Sequence, residues 1–199
     1  MKKLLIGLIF ILPLTTTLQA QNIDINLLKA INLHRPRSLD NTFLDITNTA
    51  KPIAVALPVG MFVTGLIKKD HSLEYNAIQD VGALAITTAL TEGLKYTVRR
   101  PRPYVTYPFI QHIANDSDPS FPSGHTSIAF ATATFLSLNY HQWYIVVPSY
   151  LWATAIAYSR MDLGMHYPSD VLAGAIIGAG SAYLSFKAQQ WLFKKYKIK

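Results

Sequence analysis

The chain has 199 residues, half of them hydrophobic, and only 15% carry a charged side chain, against about a quarter in an ordinary soluble domain. This composition excludes intrinsic disorder, and the lack of cysteine excludes a disulfide scaffold and cysteine-ligated zinc or iron–sulfur sites. The net charge of +7 would suit a nucleic-acid binder, but its basic residues would need a water-facing surface, of which this composition leaves little. We therefore expect a single domain that is largely embedded in a membrane.

The first twenty residues have the layout of a secretory signal. Two lysines follow Met1, residues 4–14 are an apolar stretch, and a short polar segment ends at Ala20. We expect either cleavage after Ala20 or an uncleaved first transmembrane helix. Both alternatives leave residues 21–199 as one membrane domain and place residue 21 on the outer side of the membrane.

The next segment, from Asp24 to Asn48, has apolar residues at helical spacing among polar ones, and Pro36 interrupts the pattern. This predicts an amphipathic helix that lies in the membrane interface and is broken at the proline. A connecting loop with a few buried anchors is the alternative.

Uncharged stretches further along the chain predict membrane-spanning helices. Residues 119–159 contain no Asp, Glu, Lys or Arg, which fits two spans of about 20 residues each joined by a turn at residues 139–142. Residues 52–67 and 171–186 provide two more spans. Residues 75–96 form a weaker fifth span, because three charged residues interrupt it and must face the bundle.

The fold expected from this layout is an all-α, polytopic transmembrane helix bundle. It has five spans, preceded by the signal peptide or sixth span and by the interfacial amphipathic helix. The alternative is a soluble all-α protein with core helices, because apolar segments of about 16 residues occur in both classes.

A cluster of cations closes the weaker span. Lys95, Arg99, Arg100 and Arg102 fall within eight residues, and two prolines end the helix and extend the backbone there. Arginine binds phosphate through a planar fork, and lysine binds it as a point charge. The cluster indicates either a phosphate site or a stop-transfer signal at a cytoplasmic helix end.

A small turn with the sequence Pro122-Ser123-Gly124-His125 leads directly into an apolar helix. Unpaired N–H groups at a helix start bind anions, assisted by the helix dipole. A histidine in such a turn can act as a general acid or base. The alternative is an ordinary helix-capping turn with an incidental histidine.

The third polar stretch lies between two apolar segments and contains Ser159, Arg160, His166 and Asp170. Because His166 and Asp170 are four residues apart, one helical turn brings the carboxylate to one imidazole nitrogen and leaves the other free to attack. A metal-binding pair at this spacing is the alternative. Because no Glu or Cys lies nearby to complete a ligand set, we expect no metal.

Together these residues resemble the type-2 phosphatidic acid phosphatase superfamily, whose signature is K-x6-R-P, then P-S-G-H, then S-R-x5-H-x3-D. Eleven specified positions match in order between Lys95 and Asp170, and the hydrophobic layout extends the resemblance over residues 24–186. The uncharged spans favour the membrane-integral bacterial lipid phosphatases over the soluble periplasmic acid phosphatases. Vanadate-dependent haloperoxidases share the motifs but are usually much longer.

The resemblance implies an enzyme, a phosphoric monoester or diphosphate hydrolase without a cofactor. It implies that His166 is the nucleophile and forms a phosphohistidine, that Asp170 orients it, and that His125 protonates the leaving group and then activates water. The groups that would hold the phosphoryl oxygens are the side chains of Lys95, Arg102 and Arg160 and the backbone N–H groups of Ser123 and Gly124. Glu92, one turn before Lys95, is a candidate partner for its ammonium group, and the alternative is that it is simply a polar residue of the helix.

The implied substrate is a lipid phosphate or diphosphate, with undecaprenyl diphosphate and phosphatidylglycerophosphate first and a lipid A phosphate next. The topology places all three motifs at helix ends on the periplasmic or exterior side of a bacterial inner membrane. The partners expected are the substrate and the bilayer, with no nucleic acid and no protein partner. A lipid-binding or transport protein is the alternative from another class, but binding alone would not require the two histidines and Asp170.

Overall fold

The computed structural model describes residues 23–114 and 116–196, and within these ranges the chain is helical and contains no strand. The signal segment or first helix predicted for residues 1–20 lies outside the described residues. The helices are α1 (residues 23–32), α2 (Asp40–Asn48), α3 (Ala50–Lys68), α4 (His71–Val98), α5 (Pro103–Thr106), α6 (Gly124–Asn139), α7 (Trp143–Asp162) and α8 (Pro168–Tyr196).

Helices α1 and α2 occupy the segment that was expected to be amphipathic. The bend between them contains Pro36, which is followed by one 3-10 turn at Arg37–Leu39. A proline is expected at such a break, because it cannot supply the N–H that a helix interior needs. Ile25 and Leu28 of α1 are buried against Tyr167 and neighbouring aromatic residues. The buried face of α1 is therefore directed to the protein, and the interfacial position of this segment stays a prediction.

The centre of the bundle is α6, which packs against α4, α7 and α8 and more lightly against α3. Gly174 and Gly178 of α8 face it at close range. A Cβ at Gly174 would lie 2.7 Å from the carbonyl oxygen of Ser123, and a Cβ at Gly178 would clash with the carbonyl oxygen of Ser127. Small residues thus let the two backbones approach, as in closely packed membrane helices.

Two stretches of the described residues, Arg37–Lys68 and Pro168–Tyr196, are helical, apolar and long enough to cross a membrane. The break expected between two spans at residues 139–142 is present, because α6 ends at Asn139 and α7 begins at Trp143. The count of five spans rests on the sequence argument and stays a prediction.

Helix α4 carries the three charged residues that were expected to face the bundle. Asp80 and Lys95 are buried, whereas Glu92 is exposed and lines a cavity at the end of the helix.

One end of the bundle collects the polar motifs. The helices α3, α4, α6, α7 and α8 run alternately away from this end and back to it, because short turns join α3 to α4 and α6 to α7. The residues found there are Lys51 at the start of α3, Lys95 near the end of α4, His125 at the start of α6, Arg160 near the end of α7 and His166 just before α8.

Candidate active site

A cavity of about 350 Å³ opens at this end of the bundle. Its walls contain residues from all three sequence motifs: Lys95 and Arg102 from the first, Gly124 and His125 from the second, and His166 from the third. The structure therefore brings together groups that lie up to 71 residues apart in the chain.

His166 is buried, and its two ring nitrogens face different partners. Nδ1 lies 3.6 Å from Oδ2 of Asp170 and 3.5 Å from the hydroxyl of Ser120. Nε2 lies 3.4 Å from a guanidinium nitrogen of Arg102, which lines the cavity. A proton on Nδ1, shared with Asp170, leaves the lone pair of Nε2 directed at the cavity.

Burial lowers the pKa of His166 to about 4, and the charges of Arg160 and Arg102 act in the same direction, whereas the hydrogen bond and charge of Asp170 oppose the shift. The imidazole is consequently neutral at neutral pH. Neutral imidazole is the form in which Nε2 carries a free lone pair.

A tight turn after α7 sets the position of His166. The backbone N–H groups of Met165 and His166 both donate to the carbonyl oxygen of Arg160, at 3.0 and 3.2 Å. Gly164 has a φ of +70° and its Cα lies against the carbonyl of Gln111, so that a side chain at this position would be strained and would clash. The glycine allows the chain to turn and the loop of Gln111 to close over it.

Asp170 is fully buried and accepts hydrogen bonds from several donors. Oδ2 accepts from the hydroxyl of Ser120 and, at 3.0 Å, from the backbone N–H of Tyr167, while Oδ1 accepts from Arg100 at 2.7 Å. These donors fix the carboxylate with Oδ2 toward His166. Ser120 and Arg100 were not among the site residues that the motifs predicted.

The three cations of the motifs are buried, and each is paired with a carboxylate from the loop before the second motif. Nζ of Lys95 lies 2.6 Å from Asp118, and Arg102 lies 2.6 Å from Asp118 and 3.2 Å from Asp116. Arg160 lies 3.1 Å from Asp116. Two carboxylates therefore occupy the place where the cations would bind an oxyanion.

The cations also act on the acidity of these carboxylates. Partial burial would raise the pKa of Asp118, but the hydrogen bond from Lys95 and the nearby charge of Arg102 outweigh this and lower the pKa to about 2. Asp118 is therefore ionised throughout the physiological pH range.

The interpretation of Glu92 as the partner of Lys95 is wrong, since Lys95 instead binds Asp118 and the carbonyl oxygen of Pro119.

The second motif begins α6 at the wall of the cavity. Gly124 and His125 line it directly. Ser123 is fully buried, and its backbone N–H donates to the carbonyl oxygen of Asp170 at 3.0 Å. The expectation that this N–H group is available for a phosphoryl oxygen is therefore wrong, because the group ties the second motif to the third.

Some residues of the site were missed by the motif search. Asp116 and Asp118 are the only acidic residues between Glu92 and Asp162, and this isolation was a signal that could have marked them. Arg100 belongs to the cation cluster, but its contact with Asp170 was not predicted, and nothing in the local pattern indicated Ser120 or Asp24. The roles of all three depend on contacts with distant segments.

Comparison with known proteins agrees with this geometry. A family model described as the PAP2 superfamily matches residues 77–194 of the chain. The chain belongs to the PAP2 superfamily. It is accordingly a PAP2 phosphatase, and the resemblance inferred from the motifs is confirmed.

Individual PAP2 relatives support the membrane character of the fold. An undecaprenyl-diphosphatase from Sulfolobus acidocaldarius is 28% identical over 172 residues, which cover 85% of this chain and 81% of that protein. The structure of LpxE from Aquifex aeolicus matches with a TM-score of 0.71 and 27% identity, over 83% of this chain and 95% of LpxE. A transmembrane PAP2 type phosphatidylglycerolphosphate phosphatase from Bacillus subtilis matches with a TM-score of 0.70 and 24% identity, over 96% and 94% of the two chains.

Proposed function

We propose that this PAP2 protein hydrolyses a lipid phosphate or diphosphate through a phosphohistidine on His166, without a metal ion. The observation that carries the proposal is the position of His166, whose Nδ1 faces Asp170 while its Nε2 faces a cavity lined by cations. Such an arrangement suits a histidine nucleophile whose tautomer is set by a carboxylate.

The reaction begins when Nε2 of His166 attacks phosphorus. The bond from phosphorus to the leaving oxygen breaks, and His125 gives that oxygen a proton. Water then attacks the phosphohistidine, His125 takes a proton from this water, and the phosphorus–nitrogen bond breaks to release inorganic phosphate. We assign both transfers to His125 because it lines the same cavity as His166.

Positive charge at the phosphoryl group comes from Lys95, Arg102 and Arg160. Their pairing with Asp116 and Asp118 supports this role, because carboxylate and phosphoryl oxygens are bound by the same donors. Phosphoryl transfer depends mainly on positioning and on charge stabilisation, so the three buried cations, together with the N-terminal end of α6, can supply what a metal ion supplies elsewhere.

An apolar groove supports a lipid as the carrier of the phosphate. It has a volume of about 600 Å³, lies between α3 and α4, and shares Thr88 with the cavity. Val55, Val59 and Val81 line the groove and are more than half exposed. A hydrocarbon chain in this groove would leave its phosphate beside Lys95 and His125.

Among such lipids, undecaprenyl diphosphate and phosphatidylglycerophosphate are the substrates that we propose first. The undecaprenyl-diphosphatase of S. acidocaldarius, which aligns with 85% of this chain, favours the diphosphate. Release of inorganic phosphate from purified undecaprenyl diphosphate, phosphatidylglycerophosphate, phosphatidic acid and lipid A distinguishes these substrates.

The same preparation tests the chemistry. Wild-type protein mixed with a ³²P-labelled substrate and quenched in alkali should retain label, because phosphohistidine survives base. His166→Ala should retain none. His125→Ala should still be labelled by a substrate with an activated phenolic leaving group. Equal labelling of wild type and His166→Ala would contradict the assignment of the nucleophile.

We also propose that the cavity faces the periplasm or cell exterior of a bacterial inner membrane. The lysines at the far ends of α3 and α8 favour this orientation, because basic residues concentrate on the cytoplasmic side. Ser117→Cys, next to the cavity, should react with an impermeant thiol reagent in intact spheroplasts. Lys195→Cys should react only after lysis, and the opposite pattern would invert the topology.

A further inference from the structure

Arg100 lies beside the predicted catalytic groups but has no counterpart in the family signature. One terminal nitrogen of its guanidinium donates to Oδ1 of Asp170 and to the hydroxyl of Ser169, each at 2.7 Å. The other donates to Asp24 at 2.7 Å. The plane of the guanidinium lies over the ring of Tyr167, 3.7 Å from its centroid.

Asp24 is the second partner of this guanidinium and comes from α1. It is buried, and it also accepts from the backbone N–H and the hydroxyl of Ser169, at 2.8 and 2.5 Å. The carboxylate therefore fastens α1 to the first turn of α8, immediately before Asp170. Four fixed contacts on one arginine leave it little freedom of rotation.

The geometry points to Arg100 and Asp24 as positioning residues of the reaction, in which Arg100 holds Asp170 against His166 and Asp24 holds Arg100. The inference rests on the proposed function, because it presupposes that His166 reacts. Arg100 occupies Oδ1 of Asp170 and thereby leaves Oδ2 for the histidine.

Charge gives Asp24 a second effect on the reaction. Arg100 by itself would offset the negative charge of Asp170. The positively charged form of His166 would then be less well stabilised by Asp170. With Asp24 included, the three groups carry one net negative charge, two carboxylates against one guanidinium. His166 therefore faces the carboxylate of Asp170, which is fixed in place. Asp24, Arg100 and Asp170 together still present a net negative charge to it.

Other charged and titratable groups also surround His166, and they remain unchanged in the test below. They are Arg102 at the start of α5, Arg160 on α7, His125 on α6, Lys95 and Glu92 on α4, Lys51 on α3, and Asp116 and Asp118 on the loop.

The test uses the purified full chain and the pH dependence of kcat/KM for dioctanoyl phosphatidic acid, corrected for ionisation of the substrate. Arg100→Gln should lower kcat/KM about 10- to 100-fold, because even a small misplacement of a reacting group can cost about 100-fold in rate. It should also move the acid limb to higher pH, since removal of a positive charge favours protonated His166. Asp24→Asn, which keeps the shape of the side chain, should move the acid limb to lower pH.

Two further variants separate charge from shape. The double variant Asp24→Asn/Arg100→Gln removes one charge of each sign, so its acid limb should return close to that of wild type. Arg100→Lys keeps the charge but loses the fork, so it should keep the pH profile with reduced kcat/KM. Arg99→Gln is the matched control, because Arg99 is the exposed neighbour, and it should change neither quantity.

The outcomes distinguish this inference from the proposed function. Opposite shifts of the acid limb in Arg100→Gln and Asp24→Asn support the positioning role, which a merely structural role would not produce. Active variants whose acid limbs stay at the wild-type pH, or shift in the same direction, overturn it. If His166→Ala is as active as wild type, the proposed function itself fails, whatever the other variants do.

Discussion

The ammonium nitrogen of Lys95 lies 2.6 Å from Oδ2 of Asp118, so the first cation of the family signature is bound to a carboxylate from a loop outside it. Asp118 also binds Arg102, and Asp116 joins Arg102 to Arg160. If these three cations bind the phosphoryl group as we propose, each of the interactions must give way to it. We therefore expect the loop carboxylates to compete with substrate for the same three cations.

Replacement of Asp118 by asparagine should strengthen the binding of oxyanions. The inhibition constant for orthovanadate should fall about three- to tenfold, a modest range because Asp118 is nearly half exposed and water screens its charge. Asp45→Asn is the control, since Asp45 is an exposed carboxylate on α2. An unchanged or larger constant in Asp118→Asn would show that the carboxylate does not compete.

The pKa of His166 predicts an unusual acid limb for the first chemical step. An unperturbed histidine is half protonated at about pH 6.5, whereas burial lowers the pKa of His166 to about 4. Because the folded-state value is the lower one, the neutral nucleophile persists as the pH falls from 6.5 to about 4 and is lost below that. Phosphoenzyme formation from an aryl phosphate, corrected for substrate ionisation, should be level between pH 7 and 5. An acid limb near pH 6.5 would contradict the lowered pKa of His166.

Activity should not depend on a metal ion. We expect full activity after treatment with EDTA and dialysis, because in the proposed mechanism the buried cations Lys95, Arg102 and Arg160 provide the positive charge at the phosphoryl group. Orthovanadate should inhibit the dialysed enzyme as a mimic of five-coordinate phosphorus. Activity that is lost on dialysis and restored by Mg²⁺ or Zn²⁺ would count against the proposed mechanism.

The groove between α3 and α4 should matter only for substrates with a long chain. Val81→Trp fills part of the groove and should raise KM for a long-chain lipid phosphate about tenfold or more, while leaving kcat/KM for para-nitrophenyl phosphate nearly unchanged. Val147→Trp is the matched control, because Val147 is an exposed valine on α7 outside the groove. Equal effects on both substrates would show that the groove does not bind the lipid chain.

Close packing of α6 on α8 should make Gly178 intolerant of a side chain. Gly178→Ala places a methyl group against the backbone of Ser127 and Ala131, and such overpacking costs about 1–3 kcal/mol. The melting temperature in detergent should fall by about 2–10 °C. Gly180→Ala, which meets nothing within 4 Å, should leave it unchanged. A stable Gly178→Ala protein would mean that α8 can move away from α6 at little cost.

The family and the main helices could be predicted from the sequence because both depend on short-range patterns. The uncharged run of residues 119–159 predicted two helices with a break at residues 139–142, where the structure has it. The spacing of His166 and Asp170 placed a carboxylate at one imidazole nitrogen, and the two groups are 3.6 Å apart. A periodic pattern and a four-residue spacing both specify geometry within a single helix or turn.

Predictions about partners were less successful when the partner lay elsewhere in the chain. Glu92 was the local choice for Lys95, but the fold brings Asp118 to that position. Similarly, the N–H group of Ser123 was expected to bind phosphate, but it pairs with the carbonyl of Asp170. A buried polar group takes whichever partner the surrounding helices present, and spacing in the sequence does not specify that choice.

By itself the sequence determined the helical class, the motif residues and the superfamily, since apolar periodicity and fixed spacings are properties of neighbouring residues. Only the tertiary structure decided which charges meet: Asp116 and Asp118 on the three cations, and Asp24 on Arg100, 76 residues away. The physical reason is that a buried charge must be compensated at short range. The identity of the compensating residue depends on how α1, the loop and the long helices pack together.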